Sequence, residues 1–169
     1  ACGAAALVPV QLPIDPFVLR NARLEISPDG EHVLFTHVRA DGLIVPILGD
    51  LVREPDRYVV TNAKALAGFR PTFSGPPEAL ELAVGNWGEG KGFADGGASV
   101  LYYTTIDSLN FDSVKLDLAT GEITRLTSHP EYDEDVHVSP DGRWVAQASF
   151  RNHERLSIFS LVPRTPIVA

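Results

Sequence analysis

The chain has 169 residues, of which 44% are hydrophobic and 21% are charged, so it can build one domain with a packed core and is not a disordered chain. Its formal net charge of −8 argues against a surface for nucleic acid or for anionic membranes. No apolar run approaches the roughly 20 residues that a membrane-spanning helix needs.

The first 20 residues are predicted to form an extended tail or linker, because alanine and proline are frequent up to Pro16. The single cysteine, Cys2, excludes an internal disulfide. Ala1-Cys2-Gly3 is similar to the end of a bacterial lipoprotein signal, in which the cysteine becomes lipidated. Two interpretations stay open, a lipid anchor at Cys2 and a plain flexible tail. The lack of any methionine, even at position 1, indicates a processed or truncated chain.

A four-residue turn motif, Ser-Pro-Asp-Gly, occurs at Ser27–Gly30 and again at Ser139–Gly142, and a degenerate copy lies at Ala94–Gly97. Proline fixes φ at the second turn position and glycine accepts the left-handed conformation, so each copy predicts a tight turn between two antiparallel strands. Strand-forming segments flank the turns, for example Leu24–Ile26 and His32–Thr36 around the first copy. The aspartates Asp29, Asp95 and Asp141 lie 66 and 46 residues apart.

These spacings predict an all-β fold made of β-propeller blades, which are four-stranded antiparallel sheets of roughly 40–45 residues each. The sequence also predicts the outer strands of the blades. Almost no segment has a sustained helical period, and Ala63–Leu66 could form one helical turn at most. We expect about three blades over residues 21–169, an incomplete propeller. The predicted outer strand pairs are Leu43–Leu51 with Tyr58–Thr61, Val114–Leu118 with Glu122–Thr127, and a third hairpin that begins at Leu156–Leu161.

A glycine-rich segment, Gly85–Lys91, satisfies the first seven positions of the phosphate-binding loop G-x-x-x-x-G-K. The eighth position is Gly92, so the hydroxyl that would hold Mg²⁺ is missing, and Phe93–Tyr103 predicts a turn and a strand where a helix should follow. We therefore expect a glycine-rich loop inside or before an innermost strand, with Trp87 packing between blades.

Acidic and histidine residues are concentrated between His129 and His137. If a strand begins near Asp133, the side chains of Asp133, Asp135 and His137 share one strand face. Together with His129 they could ligate a divalent metal. The alternative, which we prefer, is that they hydrogen-bond backbone amides of neighbouring turns, and no cofactor is then required.

No serine stands in a G-x-S-x-G elbow, and Cys2 has no fixed histidine partner, so no catalytic residues are predicted. Phe35 and Trp144 are expected in the core between blades, because blades bury aromatic residues face to face.

The repeated turns and the strand-forming segments around them resemble the TolB-like family of WD40-like β-propellers, most clearly in the stretch Lys115–Ser149. The resemblance covers about residues 22–161 and is weak around Leu43–Trp87. It implies periplasmic or extracytoplasmic binding of proteins or other ligands, usually without catalysis. It also implies that about three blades are too few for a closed propeller, since closed propellers of this type usually have six or more blades.

The sequence therefore favours a non-catalytic, extracytoplasmic binding module, with a protein partner or self-association completing the propeller. The alternative is the propeller domain of an enzyme. That enzyme could be a prolyl-oligopeptidase-type peptidase with its catalytic module beyond Ala169. It could also be a metal-dependent polysaccharide lyase that uses His129, Asp133, Asp135 and His137 as ligands.

Overall fold

The structure is a computed structural model that describes residues 7–40, 42–66, 88–106, 110–129 and 132–149. Within these ranges the chain consists of strands and turns, and the one helical element is a short 3₁₀ turn at Asp95–Gly97. The strands are β1 (Val10–Gln11), β2 (Val18–Ile26), β3 (His32–Arg39), β4 (Ile44–Arg53), β5 (Tyr58–Ala65), β6 (Gly88–Ala94), β7 (Ser99–Ile106), β8 (Asn110–Asp117), β9 (Ile123–Arg125), β10 (Asp133–Val138) and β11 (Val145–Ser149).

The strands form three sheets, which confirms the predicted all-β architecture of propeller blades. The first sheet has the order β1-β5-β4-β3-β2, the second β6-β7-β8-β9, and the third contains β10 and β11. All neighbours are antiparallel except β1, which runs parallel to β5. In each sheet the first strand of the blade lies at one edge, and we call β2, β6 and β10 the innermost strands.

The repeated turns close the first hairpin of each sheet, as predicted. Gly30 and Gly142 have φ of 76° and 70°, the left-handed region in which glycine has no Cβ penalty. In the first copy, the backbone N–H of His32 donates to Ser27 Oγ at 2.8 Å. The third copy repeats this bond from Trp144 N–H to Ser139 Oγ at 3.0 Å. The motif therefore fixes the turn through its serine hydroxyl as well as through its glycine.

Replacing Ser27 with alanine should lower the free energy of unfolding by about 1–2 kcal/mol, because it removes a buried hydroxyl that satisfies a backbone donor of the turn. The matched change, Ser139→Ala, removes the same bond from a more exposed turn and should cost less than about 1 kcal/mol. Urea unfolding of both variants measures the difference, and equal losses would contradict a role for burial.

The largest hydrophobic cluster includes residues of the first and second sheets. Val33, Leu34, Phe35, Val100 and Tyr102 are buried in it, so the predicted burial of Phe35 is confirmed. The prediction for Trp144 is wrong, since this residue is 70% exposed. Trp144 takes the place that His32 has in the first copy, immediately after the turn, where its backbone closes the turn and its side chain lies at the end of the sheet.

Several predictions concern parts of the chain outside the described residues, namely Cys2, Trp87 and the hairpin that begins at Leu156–Leu161. Residues 63–65, where a helical turn was considered, belong to β5. The predicted tail of 20 residues contains β1, and its boundary falls inside β2. Among the described residues, no helix is long and apolar enough to cross a membrane.

Candidate functional site

Each innermost strand contains a β-bulge at an equivalent place, shortly before its turn. The register with the second strand shifts between Ala22 and Glu25 in β2, and between Glu134 and His137 in β10. Arg23 and Asp135, each four residues before the serine of its turn, both have a φ of 52°. Positive φ is uncommon outside glycine, and bulges with this geometry redirect a side chain. In β6 the shift lies between Gly90 and Gly92, and Lys91 is the inserted residue.

The three bulged residues meet. Lys91 Nζ donates to Asp135 Oδ1 at 2.7 Å, and Arg23 Nη2 lies 3.5 Å from the same oxygen. Lys91 Nζ also reaches Glu89 Oε2 at 2.7 Å and Glu134 Oε1 at 3.2 Å. Arg23 Nε lies 3.3 Å from Glu89 Oε2. We call these five residues the inner-wall cluster; they connect all three sheets and have one net negative charge between them.

The cluster has a buried end at Lys91, whose side chain is 2% exposed. Its ammonium group lies 4.7 Å from the centroid of the Tyr103 ring, a favourable cation–π distance. Tyr103, Phe111 and Tyr132 pack as three neighbouring rings, and the Tyr132 hydroxyl donates to Glu134 Oε2 at 2.7 Å. Burial raises the pKa of Tyr103 and of Tyr132 well above the usual range, so both rings stay neutral. Lys91 is thus enclosed by carboxylates and neutral aromatic rings.

The other end of the cluster faces solvent. The side chains of Arg23 and Asp135 are 48% and 40% exposed. The hydrogen bond from Lys91 lowers the pKa of Asp135, so its carboxylate stays charged well into the acidic range. A guanidinium and a carboxylate therefore stand fixed at the inner edge of the sheets, where each can pair with a group of a ligand.

Folding stability should fall as the pH drops below about 4, the ordinary pKa of an aspartate. The folded-state pKa of Asp135 lies below that value, so its contribution is complete above the unfolded pKa and is lost as the pH falls through the folded one. Asp135→Asn should be less stable than the wild type at pH 7 and should lose less stability between pH 7 and pH 3. Urea midpoints at both pH values test this, and parallel losses would contradict it.

The four predicted metal ligands do not form one site. Asp133 is fully buried, Asp135 pairs with Lys91 and Arg23, and His137 is exposed. The prediction that these three share a strand face is wrong, because the bulge between Glu134 and His137 breaks the alternation. His129 lies before β10, in the segment that joins the second and third sheets. Among the predicted residues, Asp135 pairs with cations of the two neighbouring sheets, Lys91 and Arg23.

One other group in the described part of the chain brings three ligand atoms within 4.8 Å of one another, namely Asp29, Glu31 and His32. It lies on the first turn, and two of the three side chains are exposed. Asp29 Oδ1 accepts hydrogen bonds from Ser27 Oγ and from Glu31 N–H. The turn itself therefore accounts for the position of this carboxylate.

Sequence reasoning missed Arg23 and Glu89 and found Lys91 only as part of a phosphate-loop pattern. In the structure, residues 88–91 begin β6. The chain continues as strand and then as a 3₁₀ turn, so the helix that follows a phosphate-binding loop is not formed there, as predicted. The signal that could have found the cluster is positional. Residues aligned on the repeated turn include a charged residue at the same place in the first and third copies, Arg23 and Asp135.

No protein-family model matches the chain, and no curated protein matches it. Solved structures do match. A candidate TolB from Agrobacterium tumefaciens aligns with a TM-score of 0.53 and 23% identity over 75% of this chain and 37% of that chain. TolB from Acinetobacter baumannii aligns with a TM-score of 0.52 and 16% identity over 78% of this chain and 26% of that one.

These likenesses confirm the predicted resemblance at the level of the fold, which is a partial TolB-like propeller. The chain spans little more than a third of one TolB chain and about a quarter of the other.

Proposed function

We propose that this chain is a non-catalytic, extracytoplasmic binding module, part of a larger propeller assembly or of a longer chain, that holds a protein segment against its innermost strands. The inner-wall cluster is the observation that carries the proposal. It fixes Arg23 and Asp135 in strained backbone conformations at the inner edge, with their side chains partly open to solvent. Backbone strain at such a place is characteristic of functional positions.

The surroundings of the cluster favour a protein segment as the ligand. Leu19, Leu24 and Ile26 of β2, the strand that carries Arg23, are exposed, with 70%, 42% and 51% of their surface open. Apolar side chains next to fixed charges of both signs suit a peptide that offers apolar and charged groups in alternation. The net charge of −8 makes nucleic acid a poor alternative.

The cluster is better suited to recognition than to proton transfer. Glu89, Glu134 and Asp135 share the ammonium group of Lys91, so their oxygens are already engaged by a fixed cation. The incomplete set of blades supports the second half of the proposal, because the described part of the chain spans three sheets of a fold that is much longer in both TolB chains.

Selection from a phage-displayed library of linear peptides tests the binding half. Peptides selected on the wild type should lose at least tenfold in affinity for Arg23→Glu, which reverses an exposed charge of the cluster. The matched control is Arg143→Glu, a charge reversal at an exposed position on the third turn, and it should bind like the wild type. Peptides that bind Arg23→Glu as tightly as the wild type would contradict the proposed surface.

Sedimentation velocity tests the assembly half. We expect the isolated chain to associate beyond its 18.3 kDa monomer mass as its concentration rises. A monodisperse, well-folded monomer across the accessible range would contradict the need for a completing partner.

A further inference from the structure

A cleft of about 530 Å³ lies between β3, β4 and β5 of the first sheet and the end of β8 with the turn that follows it in the second sheet. Its volume falls in the range of roughly 300–1,000 Å³ that is usual for small-molecule sites. No residue of the inner-wall cluster lines it, so the cleft is separate from the surface proposed above.

The strand register shows which side chains of the first sheet face this cleft. Leu34 points towards the second sheet, since a Cβ on Gly90 would lie 2.7 Å from Leu34 Cγ. Leu34 pairs with Leu48, and Leu48 pairs with Lys64. Paired residues of neighbouring strands share a face, so Lys64 also points towards the second sheet.

A hydrogen-bonded group of polar side chains lies on the same wall. His32 and Asp50 are paired two positions further along β3 and β4, so they share this face. The register of β4 and β5 shifts beside Gly49, and Asn62 has a φ of 50° in this bulge, a conformation in which asparagine is enriched. Asn62 Nδ2 donates to Asp50 Oδ2 at 2.7 Å, and His32 Nδ1 lies 3.2 Å from Asp50 Oδ1. Both oxygens of the carboxylate therefore already have a neighbour.

The charge on this wall that lacks a counter-charge is positive. Within the described part of the chain, no carboxylate lies at ion-pair distance from the ammonium group of Lys64, and this group makes no hydrogen bond. Asp50 is engaged by Asn62 and His32, as described above. A ligand that enters the cleft would thus meet one cation that is available for pairing.

The facing wall is apolar. Leu116 and Leu118 line it, and both pack with the largest hydrophobic cluster, to which Leu66 adds a buried side chain from the first sheet. Asp117 follows Leu116 along β8, so its side chain points to the other face of the strand. Its Oδ1 accepts a hydrogen bond from Thr120 N–H at 2.8 Å, which ties the carboxylate to its own turn.

We propose that the cleft binds a small amphipathic carboxylic acid, with its carboxylate paired with Lys64 and its apolar body against Leu116 and Leu118. A carboxylate supplies the counter-charge that Lys64 lacks, and a charge-assisted hydrogen bond to it is stronger than one between neutral groups. An amine would place a second cation beside Lys64, and a neutral molecule would leave the ammonium group uncompensated. The site lies outside the innermost strands and does not depend on the proposed function.

Titration of the isotope-labelled full chain at pH 7 with hexanoate, hexanol and hexylamine tests the site, because the three probes differ only in the head group. Amide chemical shifts in NMR spectra report where each probe binds and how tightly. We expect hexanoate to shift the amides of Asn62, Lys64 and Leu118, and to bind at least about fivefold more tightly than hexanol or hexylamine. Hexanoate should also bind about threefold more tightly than pentanoate, because one more methylene group is buried against the leucines.

Lys64→Gln should lower the affinity for hexanoate to that for hexanol, whereas Lys64→Arg, which keeps the charge, should bind hexanoate like the wild type. The matched control is Lys115→Gln, since Lys115 pairs with Asp95 and does not line the cleft. This variant should bind hexanoate like the wild type. The amide spectrum of each variant shows whether its fold is intact.

Equal affinities for hexanoate and hexanol, or tighter binding of hexylamine, would overturn the pairing of a carboxylate with Lys64. Equal losses in Lys64→Gln and Lys115→Gln would overturn it as well. Shifts confined to the amides of Arg23 and Asp135 would place binding at the inner-wall cluster and would rule out the cleft. The absence of any shift up to about 10 mM hexanoate would overturn the whole proposal.

Discussion

Replacing Lys91 with methionine should lower the free energy of unfolding by about 3–5 kcal/mol, the usual loss when one partner is removed from a buried ion pair. The ammonium group is almost fully buried and lies between Glu89, Glu134 and Asp135. Without it, three carboxylates face one another with only the half-exposed guanidinium of Arg23 for compensation. Equilibrium urea unfolding at pH 7 and low ionic strength measures the loss.

Lys115→Met is the matched control, because it removes another lysine–aspartate pair on the second sheet that is much more exposed. Lys115 Nζ lies 2.9 Å from Asp95 Oδ2, and its side chain is 33% exposed. We expect a loss below about 1 kcal/mol there. Similar losses for the two variants would mean that Lys91 does not join the three sheets as its contacts indicate.

Gly90→Ala should also destabilise the chain, with an expected loss of about 1–3 kcal/mol from overpacking. The added methyl group would lie 2.7 Å from Leu34 Cγ and 2.9 Å from Leu34 Cδ2, where the first and second sheets are in contact. Gly90 has no positive φ, so the loss reports the clash and not backbone strain. Thermal unfolding followed by circular dichroism gives the first measurement.

A double-mutant cycle isolates the contact. Leu34→Ala alone leaves a cavity and should destabilise the chain by about 2–5 kcal/mol. In the double variant Gly90→Ala/Leu34→Ala, the new methyl group fills part of the space that Leu34 leaves. The two losses should therefore sum to at least 1 kcal/mol more than the double variant loses. Additive losses would show that the two residues do not meet.

The sequence predicted the hairpins well because their chemistry is local. Proline, aspartate and glycine determine the turn at Ser27–Gly30 within four residues, and the alternation on both sides needs no information from elsewhere. The same locality explains the correct position of the strand pair around Ala119–Gly121. The burial of Phe35 was predicted correctly because this residue stands in a long run of strand-forming residues.

The inner-wall cluster was not predictable in the same way. A bulge is a property of two paired strands, and the alternation inside β10 cannot reveal that Asp135 and Val136 together oppose one residue of β11. The predicted common face of Asp133, Asp135 and His137 failed for this reason. Trp144 was misplaced because a large aromatic residue suggests burial, whereas its position next to a turn keeps it outside the core.

The N-terminal segment shows a third limit. Its composition of alanine and proline predicted an extended tail or linker, and within it residues 10–11 pair with β5 and residues 18–20 begin β2. Composition does not distinguish a segment that is free in solvent from one that packs on the core, because the difference depends on two side chains, Val10 and Leu12, and on their distant partners.

The bulges in the three innermost strands also affect the order in which the repeats can pack side by side. Related repeats of similar shape risk exchanging places, within one chain or between copies. Here the equivalent positions differ in sign, with cations at Arg23 and Lys91 and an anion at Asp135. If the first sheet took the place of the third, Arg23 would stand where Asp135 stands and would face the buried Lys91. Repulsion between the two cations would disfavour that arrangement. The charges at the inner edge would therefore favour one order of three otherwise similar sheets.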